Sequence, residues 1–291
     1  MISAKVIQDS LSEAGIRLIT FELEYPRFIH AEFMTHRMFS RNCASSRAIP
    51  IAKMHEQITE SMASPVEWGK NQAGMQASEQ LSELETLAAE QVWHEAGLEA
   101  IRWSKSLANM GLHKQIANRV TEPFQHMKTV VTATEWHNWF ELRNHKDAQP
   151  EIRELALAMM QAILESKPMH LRSGQWHVPY VTRTQAEGQV TYTDAAGMPL
   201  DAQSAKVISA SCCAQVSYRK SDDSLEKAQM IFDKLINSRP AHASPVEHQA
   251  TPMTTVAATN FMPGVTHRDY NGMNWSGNFK GWIQHRQLIG A

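Results

Sequence analysis

Arg37, Arg41 and Arg47 lie close together with His36 and the hydroxyls of Ser40, Ser45 and Ser46, and no acid stands among them. Guanidinium groups hold phosphate through paired N–H donors, and hydroxyls with loop amides complete such a cradle. The same composition also describes a solvated basic loop. Cys43 sits between Arg41 and Arg47. A neighbouring cation lowers a thiol's pKa and makes it a nucleophile, whereas a packed cysteine is a small inert residue. Residue types alone leave both pairs of readings open.

Strand, loop and helices must position these side chains. Ile19, Phe21, Leu23 and Tyr25 alternate with Thr20, Glu22 and Glu24, which predicts a strand with one buried face, ended by Pro26. Phe28 to Met34 reads as a short helix entering the polar run 35–47, itself read as a loop that ends before Pro50. Helical spacing follows over about 77–110, with Leu84, Ala88, Val92 and Ala96 as the apolar repeat and Gly111 as the stop. Pro150 opens a second long helix, with Ile152, Leu155, Ala156, Met159, Met160 and Ile163 inward and Lys167-Pro168 as its close.

Residues 168–205 are rich in Gly, Gln, Thr and Ser and read as a connector with a hairpin at Gln189 to Thr193. A third helix is expected over about 222–237, with Leu225, Ala228, Phe232, Leu235 and Ile236 inward; the rest reads as loop and strand. The expected organisation is a core over 1–167, the connector 168–205, and a segment 206–291 that completes the fold. The class is mixed α+β, an antiparallel or mixed sheet packed with long helices. One tetrapeptide recurs, Ser64-Pro65-Val66-Glu67 and Ser244-Pro245-Val246-Glu247.

With 28 Lys+Arg against 30 Asp+Glu, the net charge of -2 argues against a general nucleic-acid binder, though a small anion needs only a local arginine cluster. Cys43, Cys212 and Cys213 form no disulfide framework, so a cytoplasmic location is expected. The first residues lack the apolar run of a signal peptide, and no stretch approaches the apolar length of a membrane span. His248, His267 and His285 read as hydrogen-bonded histidines, and no metal site is expected.

His36-Arg37, seven residues, then Ser45, with Asn42 and Arg47 at matching offsets, resembles the signature of the flavin-dependent thymidylate synthases (ThyX). A second block strengthens the resemblance: Asn138-Trp139-Phe140-Glu141-Leu142-Arg143 followed by Asp147-Ala148-Gln149-Pro150-Glu151-Ile152-Arg153, with Arg119 four residues before Pro123. The likeness spans about residues 15–165. Segments that precede the signature in the family have look-alikes after it here: Ala214-Gln215-Val216-Ser217-Tyr218, then the 222–237 helix, then Ser244-Pro245-Val246-Glu247-His248. Gly281 to Arg286 weakly echoes the signature itself. The chain therefore resembles a permuted, divergent member of the family.

The resemblance implies FAD as cofactor, NADPH and methylenetetrahydrofolate as co-substrates, and methylation of dUMP at C5 to give dTMP. It also implies a homotetramer with shared sites. By position, Ser45, Arg47 and Arg119 would hold the nucleotide, with Cys43 and Glu32 beside it. Arg143 would sit over the pyrimidine and stabilise negative charge on the ring. Thr35, His36, Arg37, Asn138, Leu142, Asp147, Ser244 and Glu247 would line the flavin. Each has a plainer alternative. Arg143 could pair with Glu141 or Asp147, and Arg119 could meet helix-end carbonyls. Asn138 could cap a helix, Leu142 could be core, and Ser244-Pro245 could be a bare turn. Thr35 and Cys43 replace a family arginine and acid. Glu32 replaces a common Gln and needs an arginine, sugar or base as partner. These departures leave open dCMP as substrate, a hydroxymethyl product, or a non-catalytic nucleotide-binding homologue.

Overall fold

The computed structural model describes residues 1–217, 224–236, 238–254 and 262–289. It opens with the hairpin β1 (Ser3–Ser12) and β2 (Arg17–Pro26). A 3-10 turn and α1 (His30–Phe33) lead to β3 (Ser40–Cys43). The run after His36 is thus not wholly loop, because its centre pairs in register with a neighbouring strand. α2 (Ile51–Glu60), α3 (Glu83–Asn109) and α4 (Lys114–Ala117) precede a 3-10 stretch, Asn118–Phe124. Next come β4 (His126–Ala133), α5 (His137–Arg143), α6 (Pro150–Glu165) and β5 (Met169–Leu171). The main sheet has the order β3-β4-β2-β1-β5 and is antiparallel except for β5 on β1. The fold is mixed α+β, as expected.

Residues of one parity on β2, Ile19, Phe21, Leu23 and Tyr25, join Met127 and Val131 against Trp139, Ile152, Leu155 and Met159 of α5 and α6. Removing each large apolar side chain from water is worth about 1.5–3 kcal/mol. The expectation of a single buried face needs correction, since Leu18 and Thr20 of the opposite parity are also fully buried. Elements beyond residue 170 cover that second face.

The covering elements start with the small sheet β6 (Thr182–Ala186), β7 (Gln189–Thr193) and β8 (Pro199–Leu200). Helices α7 (Ala202–Ala214) and α8 (Leu225–Ile236) follow. A 3-10 turn at Ser244–Glu247 leads to β9 (Ala250–Pro252). β10 (His267–Arg268), β11 (Asn274–Ser276) and β12 (Phe279–Lys280) form a ribbon, and β13 (Trp282–Gln284) pairs with β9. Leu18 and Leu171 pack with Ala250, Phe279 and Trp282.

Three details depart from the sequence reading. α3 buries Gly97, Ala100, Ile101 and Ser104, not the Leu84–Val92 stripe. A Cβ at Gly97 would stand 2.4 Å from the Met62 methyl carbon and 3.1 Å from Phe124, so the smallest residue sets the contact face. Leu84 and Val92 are left 81% and 66% exposed. Ala214 ends α7 instead of starting a strand, and Tyr218 lies outside the described residues, as do positions 222, 223 and 237 of the third helix. Leu225 is exposed at the start of α8, whereas Ala228 and Ile236 are buried.

Candidate functional site

α5 is a two-turn helix whose last residue is Arg143, and α1 with the loop behind it supplies the groups that meet it. Arg143 donates from Nε to His36 Nε2 at 2.9 Å, forms an ion pair with Glu32, and reaches the Thr35 hydroxyl at 3.4 Å. Glu32 thus has the arginine its position called for. The alternative pairings of Arg143 with Glu141 or Asp147 do not form: Glu141 lies 3.5 Å from His137 and Asp147 3.5 Å from His145. The short spacing between Asp147 and His145 favours that local contact.

His36 is buried, stacked on Phe39 at 5.8 Å and edge-on to Trp139 at 4.7 Å. Burial first, then the charges of Arg143 and Arg41, push its pKa down to about 4. The ring is therefore neutral at pH 7, and its Nε2 is the acceptor for Arg143. Arg41 donates to the Met34 and His36 carbonyls, both at 3.0 Å, and so pins this loop from β3. Glu32 and Arg143 open on a cleft of about 750 Å³, also lined by Phe28, Trp93, Asp147 and Gln149.

The second cluster follows β3. Ser45 donates its backbone N–H to Ser217 Oγ at 2.9 Å, and its hydroxyl accepts from the Arg47 N–H at 3.3 Å. Arg47 and Arg37 have exposed side chains. Burial raises the Cys43 thiol pKa above its ordinary value, although Thr129 and Arg41 pull the other way. This overturns the low-pKa nucleophile reading: desolvation outweighs the nearby cation. Arg119 stands elsewhere, meeting Glu122 at 3.3 Å instead of helix-end carbonyls.

Asn138 and Leu142 lie one turn apart on α5, and Leu142 is 50% exposed, so neither the core reading nor the cap reading holds. Trp136 occupies the N-cap position and bonds with its indole to Ala133 O instead. The Ser244–Glu247 turn packs against β3, the strand of the signature. Burial raises the Glu247 pKa, while Arg286 and Arg41 lower it. Gln284, fully enclosed, donates to Ser40 Oγ at 3.0 Å and Glu247 O at 2.8 Å; Asn278 donates to Met38 O at 2.9 Å. The weak echo at 281–286 hinted at Gln284. No local signal marks Asn278, because its contact spans 240 residues.

By donor chemistry these groups fit a flavin. Arg37, Asn138 and the Ser244 hydroxyl suit phosphate and ribityl oxygens, Glu247 suits a hydroxyl or ring N–H, and exposed Leu142 offers an apolar surface. Among the described residues no group of three His, Cys, Asp or Glu side chains is arranged for a metal ion. No helix among them is long and apolar enough to cross a membrane.

Together, fold and site define a mixed α+β protein in which a basic signature strand and an arginine-tipped helix meet around a buried neutral histidine. The family model described as thymidylate synthase complementing protein matches residues 12–169, more than half of the chain, and the protein belongs to that family. Two solved structures of a UMP/dUMP methylase, PolB from Streptomyces cacaoi, are similar. The form bound with 5-Br UMP shares 17% identity at a TM-score of 0.48, covering 57% of this chain and 89% of that one. The form bound with 5-Br dUMP shares 16% identity at 0.48, covering 57% and 90%. No curated protein matches the chain.

Proposed function

We propose that the protein is a flavin-dependent enzyme that methylates dUMP at C5, with methylenetetrahydrofolate as carbon donor and NADPH as reductant, giving dTMP. The observation that carries the reading is Arg143, held at the mouth of the 750 Å³ cleft by Glu32 on one side and neutral His36 on the other. A guanidinium so fixed can stabilise negative charge that develops on a pyrimidine ring without reorganising during reaction. Ser45, Arg47 and Arg119 bind the phosphate, with Cys43 as a packed neighbour. Thr35, His36, Arg37, Asn138, Leu142, Asp147, Ser244 and Glu247 shape the flavin site, His36 chiefly by orienting Arg143. Bound reduced flavin supplies the hydride; the residues named here bind, orient and exclude water.

The bare Leu84–Val92 face of α3 leaves an apolar surface free for a subunit contact, in keeping with a homotetramer whose flavin residues come from different chains. A second reading, C5 alkylation of dCMP, is favoured by Glu32: a carboxylate accepts from an exocyclic amino group, as cytosine has and uracil lacks. The test is incubation of the protein with FAD, NADPH, methylenetetrahydrofolate and either dUMP or dCMP, with product masses measured. A methyl gain on dUMP sustains the first reading. A gain on dCMP alone, or a hydroxymethyl mass, replaces it. Colourless protein that binds dUMP without turnover marks a non-catalytic homologue.

A further inference from the structure

Six hydrogen bonds run across the sheet in single file. Arg183 donates to Ser10 Oγ at 2.8 Å, and Ser10 Oγ meets His177 Nδ1 at 2.7 Å. His177 Nε2 meets Thr20 Oγ1 at 2.7 Å, and Thr20 meets Thr132 Oγ1 at 2.7 Å. Thr132 meets His248 Nδ1 at 2.8 Å, and His248 Nε2 reaches Asn42 Oδ1 at 3.4 Å. Ser10, Thr20, Thr132, His177 and His248 are all fully buried, so these links are made away from bulk water and satisfy polar groups that burial would otherwise leave unpaired.

The Asn42 end fixes the direction. Asn42 Oδ1 only accepts, which requires hydrogen on His248 Nε2 and leaves Nδ1 of the neutral ring as an acceptor. Thr132 then donates to His248 Nδ1, Thr20 donates to Thr132, and His177 Nε2 donates to Thr20, since each hydroxyl and each neutral ring has one hydrogen to give. His177 Nδ1 is left to accept from Ser10, whose lone pairs remain for Arg183, a donor only. Burial keeps both rings neutral: the His248 pKa is pushed down to about 3 and that of His177 well below 6.5. With Oδ1 spent on His248, the Asn42 amide nitrogen has no partner among the described residues.

We propose that this one-way chain orients Asn42 so that its amide N–H groups donate to an acceptor oxygen of the bound nucleotide, making Arg183, His177 and His248 positioning residues for the signature strand. The inference rests on the nucleotide reading above. It adds that the chain beyond residue 170, outside the family match, sets a contact of the site from behind the sheet.

The test has two arms. Nitrogen-15 spectroscopy of the free protein at pH 7 should find both His177 and His248 as neutral Nε2–H tautomers; an Nδ1–H or charged ring at either overturns the chain. In the second arm, dUMP affinity is measured calorimetrically in the FAD-loaded protein. His248→Gln places an amide donor near the former Nε2, and should recover most of the affinity. His248→Asn places its amide nearer Nδ1, cannot reach Asn42, and should bind about tenfold more weakly. Thermal midpoints separate misfolding from positioning. Equal affinity in two folded variants, or losses that only track their melting temperatures, overturns the proposal. Wild-type protein that binds no dUMP defeats the nucleotide reading and the amide's role, while the tautomers still decide the chain's direction.

Discussion

Replacing Arg143 by Ala removes the fork that joins Glu32, His36 and Thr35. Hydrogen bonds to charged groups are each worth about 1.5–3 kcal/mol. Glu32 is 31% exposed on its side chain, however, and rehydrates once abandoned, so the net stability loss should be about 1–2 kcal/mol. The sharper readout is His36. Burial is the first cause of its pKa near 4 and the Arg143 charge the second. The Ala variant should therefore raise that pKa, yet keep it below the ordinary 6.5, because Phe39 and Trp139 still enclose the ring. Each unit recovered corresponds to about 1.4 kcal/mol. Arg143→Lys, which keeps the charge without the fork, should leave the pKa low while losing one of the two main partners. The assay is a proton-detected pH titration of the His36 ring, run beside turnover and flavin content. Turnover should fall more than flavin content. A His36 pKa unmoved in the Ala variant would refute the electrostatic argument. Lost flavin with normal turnover in the remaining holoenzyme would refute the assigned role of Arg143.

Ser45→Ala and Arg119→Ala should each weaken dUMP binding by about tenfold or more, and unchanged calorimetric affinity in both would remove the phosphate cradle. Cys43→Ala should retain turnover, and the wild-type thiol should alkylate slowly at neutral pH because burial raises its pKa; fast labelling or lost turnover contradicts this. Stability should decline on acidification. The folded-state pKa values of His177 and His248 lie below 6.5, so their contribution is complete above pH 6.5 and is lost as protons bind the unfolded chain below it. At pH 5.5 the pair should cost about 3 kcal/mol relative to pH 7.5, measured by urea unfolding; equal stability at both pH values speaks against it. Leu84→Glu combined with Val92→Glu should reduce the mass seen by sedimentation if α3 forms the subunit contact, and an unaltered mass excludes that face.

β2, α6 and the stop at Lys167-Pro168 could be read directly, because side-chain periodicity and proline geometry act within a few residues of each other. The spacing of His36, Asn42, Ser45 and Arg47, and the block ending at Arg143, identified the family for the same reason: each lies on a single short segment. Tertiary structure alone decided which face of α3 is buried, since Gly97 yields to Met62 and Phe124, residues distant in sequence. It also decided that Glu32 neutralises Arg143 across 111 residues, that burial beats Arg41 at Cys43, and that His248 reaches Asn42 across 206 residues. Periodicity reports that a side chain will be buried; desolvation, charge and hydrogen-bond direction depend on which partner buries it, and that is settled only when distant strands meet.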